Sequence, residues 1–139
     1  MLHMIKNRLE CCEKVFYVIF RLVVSSMFFI HGAQKLFGWF GGKAMAIASL
    51  MGVAGIVEVI GGLLIFFGLF TRLAALIAAV EMLFAYFISH FNASTLAGWV
   101  PNMNRGEAAL LYFTAFLILL IYGAGSWSLE KLISKKEHF

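Results

Sequence analysis

The sequence predicts an all-α protein, a four-helix transmembrane bundle with both termini cytoplasmic. Three observations lead there. Hydrophobic residues make up 63% of the 139-residue chain and charged residues only 13%, whereas a soluble domain carries about 25% charged residues. Four apolar runs are long enough to be membrane spans. The net charge of +4 comes mostly from the two ends, as loops on the cytoplasmic side of a membrane would have it.

The spans fall at about 15–37, 44–70, 73–91 and 105–125, within a single membrane domain over 1–139. Crossing takes about 20 residues. The fourth apolar run, Ala108 to Tyr122, meets that length only when extended to Arg105 and Gly125. The first run exceeds the roughly 7–15 residues of a signal-peptide core and no A-x-A-like site follows it, so it is expected to remain as an anchor. Gly38 to Lys43 joins the first two spans. Thr71 and Arg72 alone separate the second and third, which must then be an antiparallel hairpin. The longest connection, Asn92 to Asn104, holds the single proline, Pro101. Trp39, Trp99 and Trp127 fall near span ends, where an aromatic belt would sit.

Four crossings place both termini on one side. That side holds Lys6, Arg8, Lys14, Arg72, Lys131, Lys135 and Lys136, against Lys35, Lys43 and Arg105 on the other. Seven against three makes it the cytoplasm. The expected location is a bacterial inner membrane, with the lipid bilayer as the main partner. These basic clusters set topology and do not signal nucleic-acid binding. Cys11 and Cys12 are adjacent, which supports neither a disulfide framework nor a metal or thioredoxin-like site. In the second span, Ala44, Ala48, Gly52 and Gly55 form a stripe for close helix contact, and Gly61-Gly62 adds another thin point.

Ionisable residues inside the spans are expensive and mark function by default. With a rise of about 1.5 Å per residue, depth sorts them into two layers. Arg21 and Glu81 are expected to form an ion pair in the inner half. His31, Gln34, Lys35, Glu58 and Glu107 form a polar layer toward the outer end. His31, Gln34 and Lys35 share one helix face at i, i+3 and i+4. Arg21 and Lys35 could instead snorkel toward opposite interfaces. Asn104 and Glu107 also fit a capping box at the start of the fourth helix. His90 is expected to face away from Glu81. Glu58 and Glu81 are too short to snorkel and must be paired, protonated or facing water.

Several motifs run in order along the chain. The first helix reads Arg21 followed by His31-Gly32-Ala33-Gln34-Lys35-Leu36-Phe37-Gly38. Then come Glu58, Gly61-Gly62 and Gly68-Leu69-Phe70-Thr71-Arg72. The last are Asn104-Arg105-Gly106-Glu107 and Gly123-Ala124-Gly125-Ser126-Trp127-Ser128-Leu129-Glu130. This resembles the DoxX family of small four-helix membrane proteins over about residues 16–130. The resemblance implies a link to thiol and sulfur redox metabolism, through a thiosulfate:quinone oxidoreductase subunit and through membrane complexes with soluble redox enzymes.

The sequence has no flavin or metal motif, so an electron-transfer role would need a quinone, a soluble redox enzyme partner, or both. The expected function is a membrane subunit of a quinone-linked redox system. Glu58, favoured as the neutral acid by burial, would be the proton donor and His31 would bond the ligand head. Gln34, Lys35, Glu107 and Tyr112 would shape the binding site. A non-catalytic lipid or small-molecule module, and a structural anchor for a soluble enzyme, are the competing readings. The oligomeric state is left open.

Overall fold

A computed structural model describes residues 2–134, with side chains for 12–133. The expectations for Lys6, Arg8, Cys11, Lys135 and Lys136 concern side chains outside that set; Cys12 is exposed. Six helices follow in order: α1 (Leu2–Phe37), α2 (Leu50–Phe67), α3 (Thr71–Ser89), α4 (Leu96–Trp99), α5 (Glu107–Tyr122) and α6 (Leu129–Ser134). There is no strand among the described residues. Three stretches are long and apolar enough to cross a membrane: Cys12–Phe37, Leu50–Phe67 and Thr71–Ser89. The apolar α5 is shorter, at 16 residues. At most 39% of any of the three long stretches is buried inside the protein. The rest of their apolar surface is left for lipid, where backbone polar groups must be satisfied within the helix.

The second and third spans differ from expectation at their ends. α2 starts only at Leu50, after the Ser49 N-cap, whose side chain accepts from Gly52 N at 3.1 Å. Gly38, Phe40 and Gly41 take left-handed backbone angles, so residues 38–49 form a folded loop. Ala44 and Ala48 therefore lie outside the helix, and the expected stripe is broken. Thr71 and Arg72 are not a turn but the start of α3. The turn is Gly68–Phe70: Gly68 caps α2 at φ 68°, and Leu69 N donates to Leu64 O at 2.8 Å. This left-handed glycine end satisfies carbonyls the helix would otherwise leave bare.

α1 packs on α2, and α3 packs on both α2 and α5. The α1–α2 seam is glycine on both sides. A Cβ on Gly32 would lie 2.7 Å from Val59 N and 2.8 Å from Gly55 O. One on Gly62 would lie 2.9 Å from Phe29 N. Backbone touches backbone there, the close approach that small residues allow in membranes. The core joins Phe28 of α1 and Ile65 of α2 to Ala75, Ala78, Ala79 and Met82 of α3 and to Phe116 and Leu119 of α5. Phe28 meets Phe116 edge-on at 4.6 Å between ring centroids.

Arg21 is not paired with Glu81. Its Nη1 donates to Ala124 O and its Nη2 donates to Trp127 O at 2.7 Å. Tyr17 adds a 2.6 Å bond to Gly123 O. Arg72 Nη1 donates to Leu120 O and Ile121 O at 2.9 and 2.8 Å, a cation on the last carbonyls of α5. Glu130 Oε2 accepts from Phe70 N at 3.2 Å. The α2–α3 turn and the segment after α5 are thus tied together at one end of the bundle, here called the turn end. The buried guanidinium is consumed by carbonyls that the left-handed Gly123 and Gly125 leave without helical partners.

The seam separates two otherwise similar substitutions. Gly32→Ala should lower stability by about 1–3 kcal/mol, the cost of overpacking. Gly61→Ala, whose Cβ would meet only Phe28 Cε1 at 3.5 Å, should match or exceed wild type because alanine is the better helix former. Thermal unfolding of both variants in one detergent checks this.

Candidate functional site

The seam also places the first polar contact. Lys35 lies in the last turn of α1, and its Cβ is only 3.0 Å from where a Cβ on Gly55 would sit. One turn further along α2 is Glu58, and Lys35 Nζ meets Glu58 Oε1 at 2.7 Å. The Glu58 side chain is 3% exposed and that of Lys35 26%. Glu58 is therefore not the free acid expected of it: it is the carboxylate partner of an ammonium. Its second oxygen, Oε2, is buried with no hydrogen-bond partner.

Glu81 belongs to the same layer, not to the turn end. Glu58 lies nine residues before the end of α2, and Glu81 lies ten residues after the start of α3. At about 1.5 Å per residue the two reach the same height above the turn. Both Glu81 carboxyl oxygens are buried without a partner. Tyr112 of α5 closes the group from the far side, and its hydroxyl is likewise buried and unpartnered. Its ring stacks on Phe116 and leans on Phe28, with centroids 5.9 and 5.8 Å away.

Two histidines flank the cluster. His31 stands one helical turn before Lys35, is exposed at residue level, and meets the Tyr112 ring edge-on at 5.7 Å. His90 does not face away from Glu81. It is the C-cap of α3, at φ −123° and ψ −34°, so the helical period no longer governs its direction. Its Nδ1 lies 3.1 Å from Asn104 O. Since a carbonyl only accepts, Nδ1 carries the proton there.

Two expected members are elsewhere. Gln34 Nε2 donates to Phe40 O at 3.3 Å and ties the 38–49 loop to α1. Glu107 is exposed, and its Oε2 accepts from Asn102 Nδ2 at 3.4 Å. The capping box does not form either: Gly106 is the N-cap and Glu107 is the first residue of α5. Asn104 instead folds the loop, accepting from Gly106 N at 2.7 Å and donating to Gly98 O at 2.9 Å. That structural role was not read from the sequence; the left-handed Arg105 beside it takes Asn104 out of the capping position.

Two cavities meet at Lys35. One, of about 300 Å³, lies between the start of α2 and the end of α3, lined by Leu50, Met51, Ala54, Glu81, Phe84 and His90 among others. The second, of about 130 Å³, is lined by His31, Glu58, Met82, His90 and Tyr112 among others. Both also touch Ala85. An apolar cavity with a few convergent polar groups is the form of a small-molecule site. The chemistry available is hydrogen bonding to a polar head, and proton exchange among the Glu58, Glu81 and Tyr112 oxygens.

Comparison with known proteins agrees with this architecture. The family model described as DoxX matches residues 16–91. An uncharacterized protein of Haemophilus influenzae is 38% identical over 138 residues, covering 94% of this chain and 99% of that protein. The inner membrane protein YqjF of Escherichia coli is 31% identical, covering 89% of this chain and 96% of its own. A Bacillus subtilis protein named "Putative oxidoreductase CatD" is 27% identical, covering 85% and 87%. No solved structure matches the chain.

The ion pair makes a prediction. Lys35→Met strands a buried carboxylate and should cost about 3–5 kcal/mol, while Lys35→Met combined with Glu58→Leu should recover most of that loss. Unfolding of the wild type, both single variants and the double variant gives the coupling directly.

Proposed function

The chain belongs to the DoxX family of multi-pass membrane proteins, and on that premise we propose that it is a membrane subunit of a quinone-linked redox system in a bacterial inner membrane. In this reading α5 and its flanking residues form a fourth crossing and both termini are cytoplasmic. The observation that carries the proposal is the convergence of four buried, unpartnered oxygens, from Glu58, Glu81 and Tyr112, beside a cavity of about 300 Å³. Buried polar atoms without partners are rare in folded proteins, and each calls for an explanation such as a ligand. The name of the Bacillus subtilis relative points in the same direction.

The residues fit such a head group. Leu50, Met51, Phe84 and Ile88 offer apolar walls for a ring and the start of a tail, and Lys35, Glu81 and His90 offer polar contacts at one end. A bound quinone would supply the electron carrier. Lys35 holds the Glu58 charge and has further N–H groups to turn toward a ligand oxygen. The Tyr112 hydroxyl can donate or accept from the opposite side. Glu81 can hold or release a proton at the cavity wall. A soluble redox enzyme at the membrane surface would complete the system.

A second, more apolar cavity of about 310 Å³, lined by Phe29, Gly62, Leu63 and Phe66 among others, favours lipid binding as the alternative. Mass spectrometry of organic extracts separates the two. Quinone should accompany the wild type and be lost from Ala54→Phe, which fills the polar-ended cavity, and reduced in Tyr112→Phe. Phospholipid alone, in equal amounts from all three proteins, would contradict the quinone reading.

A further inference from the structure

We infer that the cavity at Lys35 selects a hydroxyl-bearing aromatic head, a quinol or similar dihydroxybenzene, over the carbonyl form of the same molecule. This deepens the proposed function and rests on it.

The argument is a count of hydrogen-bonding capacity. Of the four buried oxygens left without a partner in this layer, three belong to carboxyl groups: Glu58 Oε2, Glu81 Oε1 and Glu81 Oε2. The fourth is the Tyr112 hydroxyl. A carboxylate only accepts, with about four lone-pair sites over its two oxygens. His90 adds to the same side. With Nδ1 donating to Asn104 O, Nε2 of the neutral ring is an acceptor on a residue that lines both cavities. Lys35, the ammonium of the layer, already spends one donor on Glu58 Oε1.

Charge points the same way. Lys35 is a single ammonium beside two carboxyl groups, one of them paired at 2.7 Å. A quinone carbonyl would bring further acceptors to a wall where acceptors stand unsatisfied, and leaving them so costs free energy in an apolar surround. A quinol brings two O–H donors. One can face Glu81 and the other the His90 or Tyr112 side. Glu58 satisfies the demand for a built site on its own: its side chain is 3% exposed and its free oxygen borders the smaller cavity.

The test is anaerobic equilibrium dialysis of decylubiquinol and decylubiquinone against the full chain in phosphatidylethanolamine–phosphatidylglycerol nanodiscs. Wild type should bind the quinol about tenfold more tightly, the worth of one hydrogen bond to a charged acceptor. Glu81→Leu, which removes two of the three carboxyl oxygens, should bring the two forms to within about twofold by the same reckoning. Tyr112→Phe should weaken both alike. Wild type binding both forms equally, or the quinone more tightly, would overturn the selectivity while leaving the quinone-linked reading intact. A preference that survives Glu81→Leu would overturn the role given to Glu81. Binding of neither form by wild type would overturn the proposed function and this inference with it.

Discussion

A lysine ammonium buried against a carboxylate in a bundle that faces lipid is the constraint around which the rest is arranged. Lys35 and Glu58 meet at 2.7 Å because α1 and α2 are in backbone contact. That contact needs Gly32 on one helix and Gly55 and Gly62 on the other. Either charge alone would be costly in hydrocarbon. The glycine seam therefore does two things at once: it packs two helices, and it makes a polar site affordable in apolar surroundings. Glu81 and Tyr112 are then brought to that site from α3 and α5 by the shared core around Phe28 and Phe116.

The turn end fixes the register that this arrangement requires. Gly68 closes α2, and α3 restarts at Thr71, so the two helices climb from a common base and their glutamates arrive level. Arg21 grips the Ala124 and Trp127 carbonyls, Tyr17 grips Gly123, and Arg72 holds the end of α5. A buried guanidinium that donates to several backbone carbonyls fixes a segment that has no helix of its own to satisfy it. The base of the bundle is held by polar bonds to backbone. The functional layer, by contrast, keeps its side-chain oxygens unspent.

Much of the helical content was legible in the sequence, because apolar runs broken by glycine are strong signals. The three membrane-length helices and the residues of the polar layer on α1 and α2 were found that way. The missing parts depended on where helices end. Counting from the limits of the apolar run put Phe70 in the second span and lowered Glu81 by several ångströms, toward Arg21. Counting from Gly68, a glycine followed by the left-handed Phe70, would have placed it beside Glu58. His90 was misdirected for the same reason, since a helical wheel was extended one residue past the helix. Gln34 and Glu107 were assigned to the site on type and spacing, but loop carbonyls and Asn102 compete for them. Arg21 illustrates a general limit: sequence pairs charges with charges, while a buried guanidinium is satisfied equally well by backbone carbonyls, which carry no sequence label.

The central claim is that Glu58 is engaged by Lys35 while Glu81 stands free at a cavity wall. Labelling the membrane-embedded protein with dicyclohexylcarbodiimide, an apolar reagent that adds to carboxyl groups in apolar surroundings, tests it most directly, with the modified residue located by peptide mass spectrometry. The account predicts adducts on Glu81 and none on Glu58 in the wild type. Adducts on Glu58 with Glu81 unmodified would contradict it.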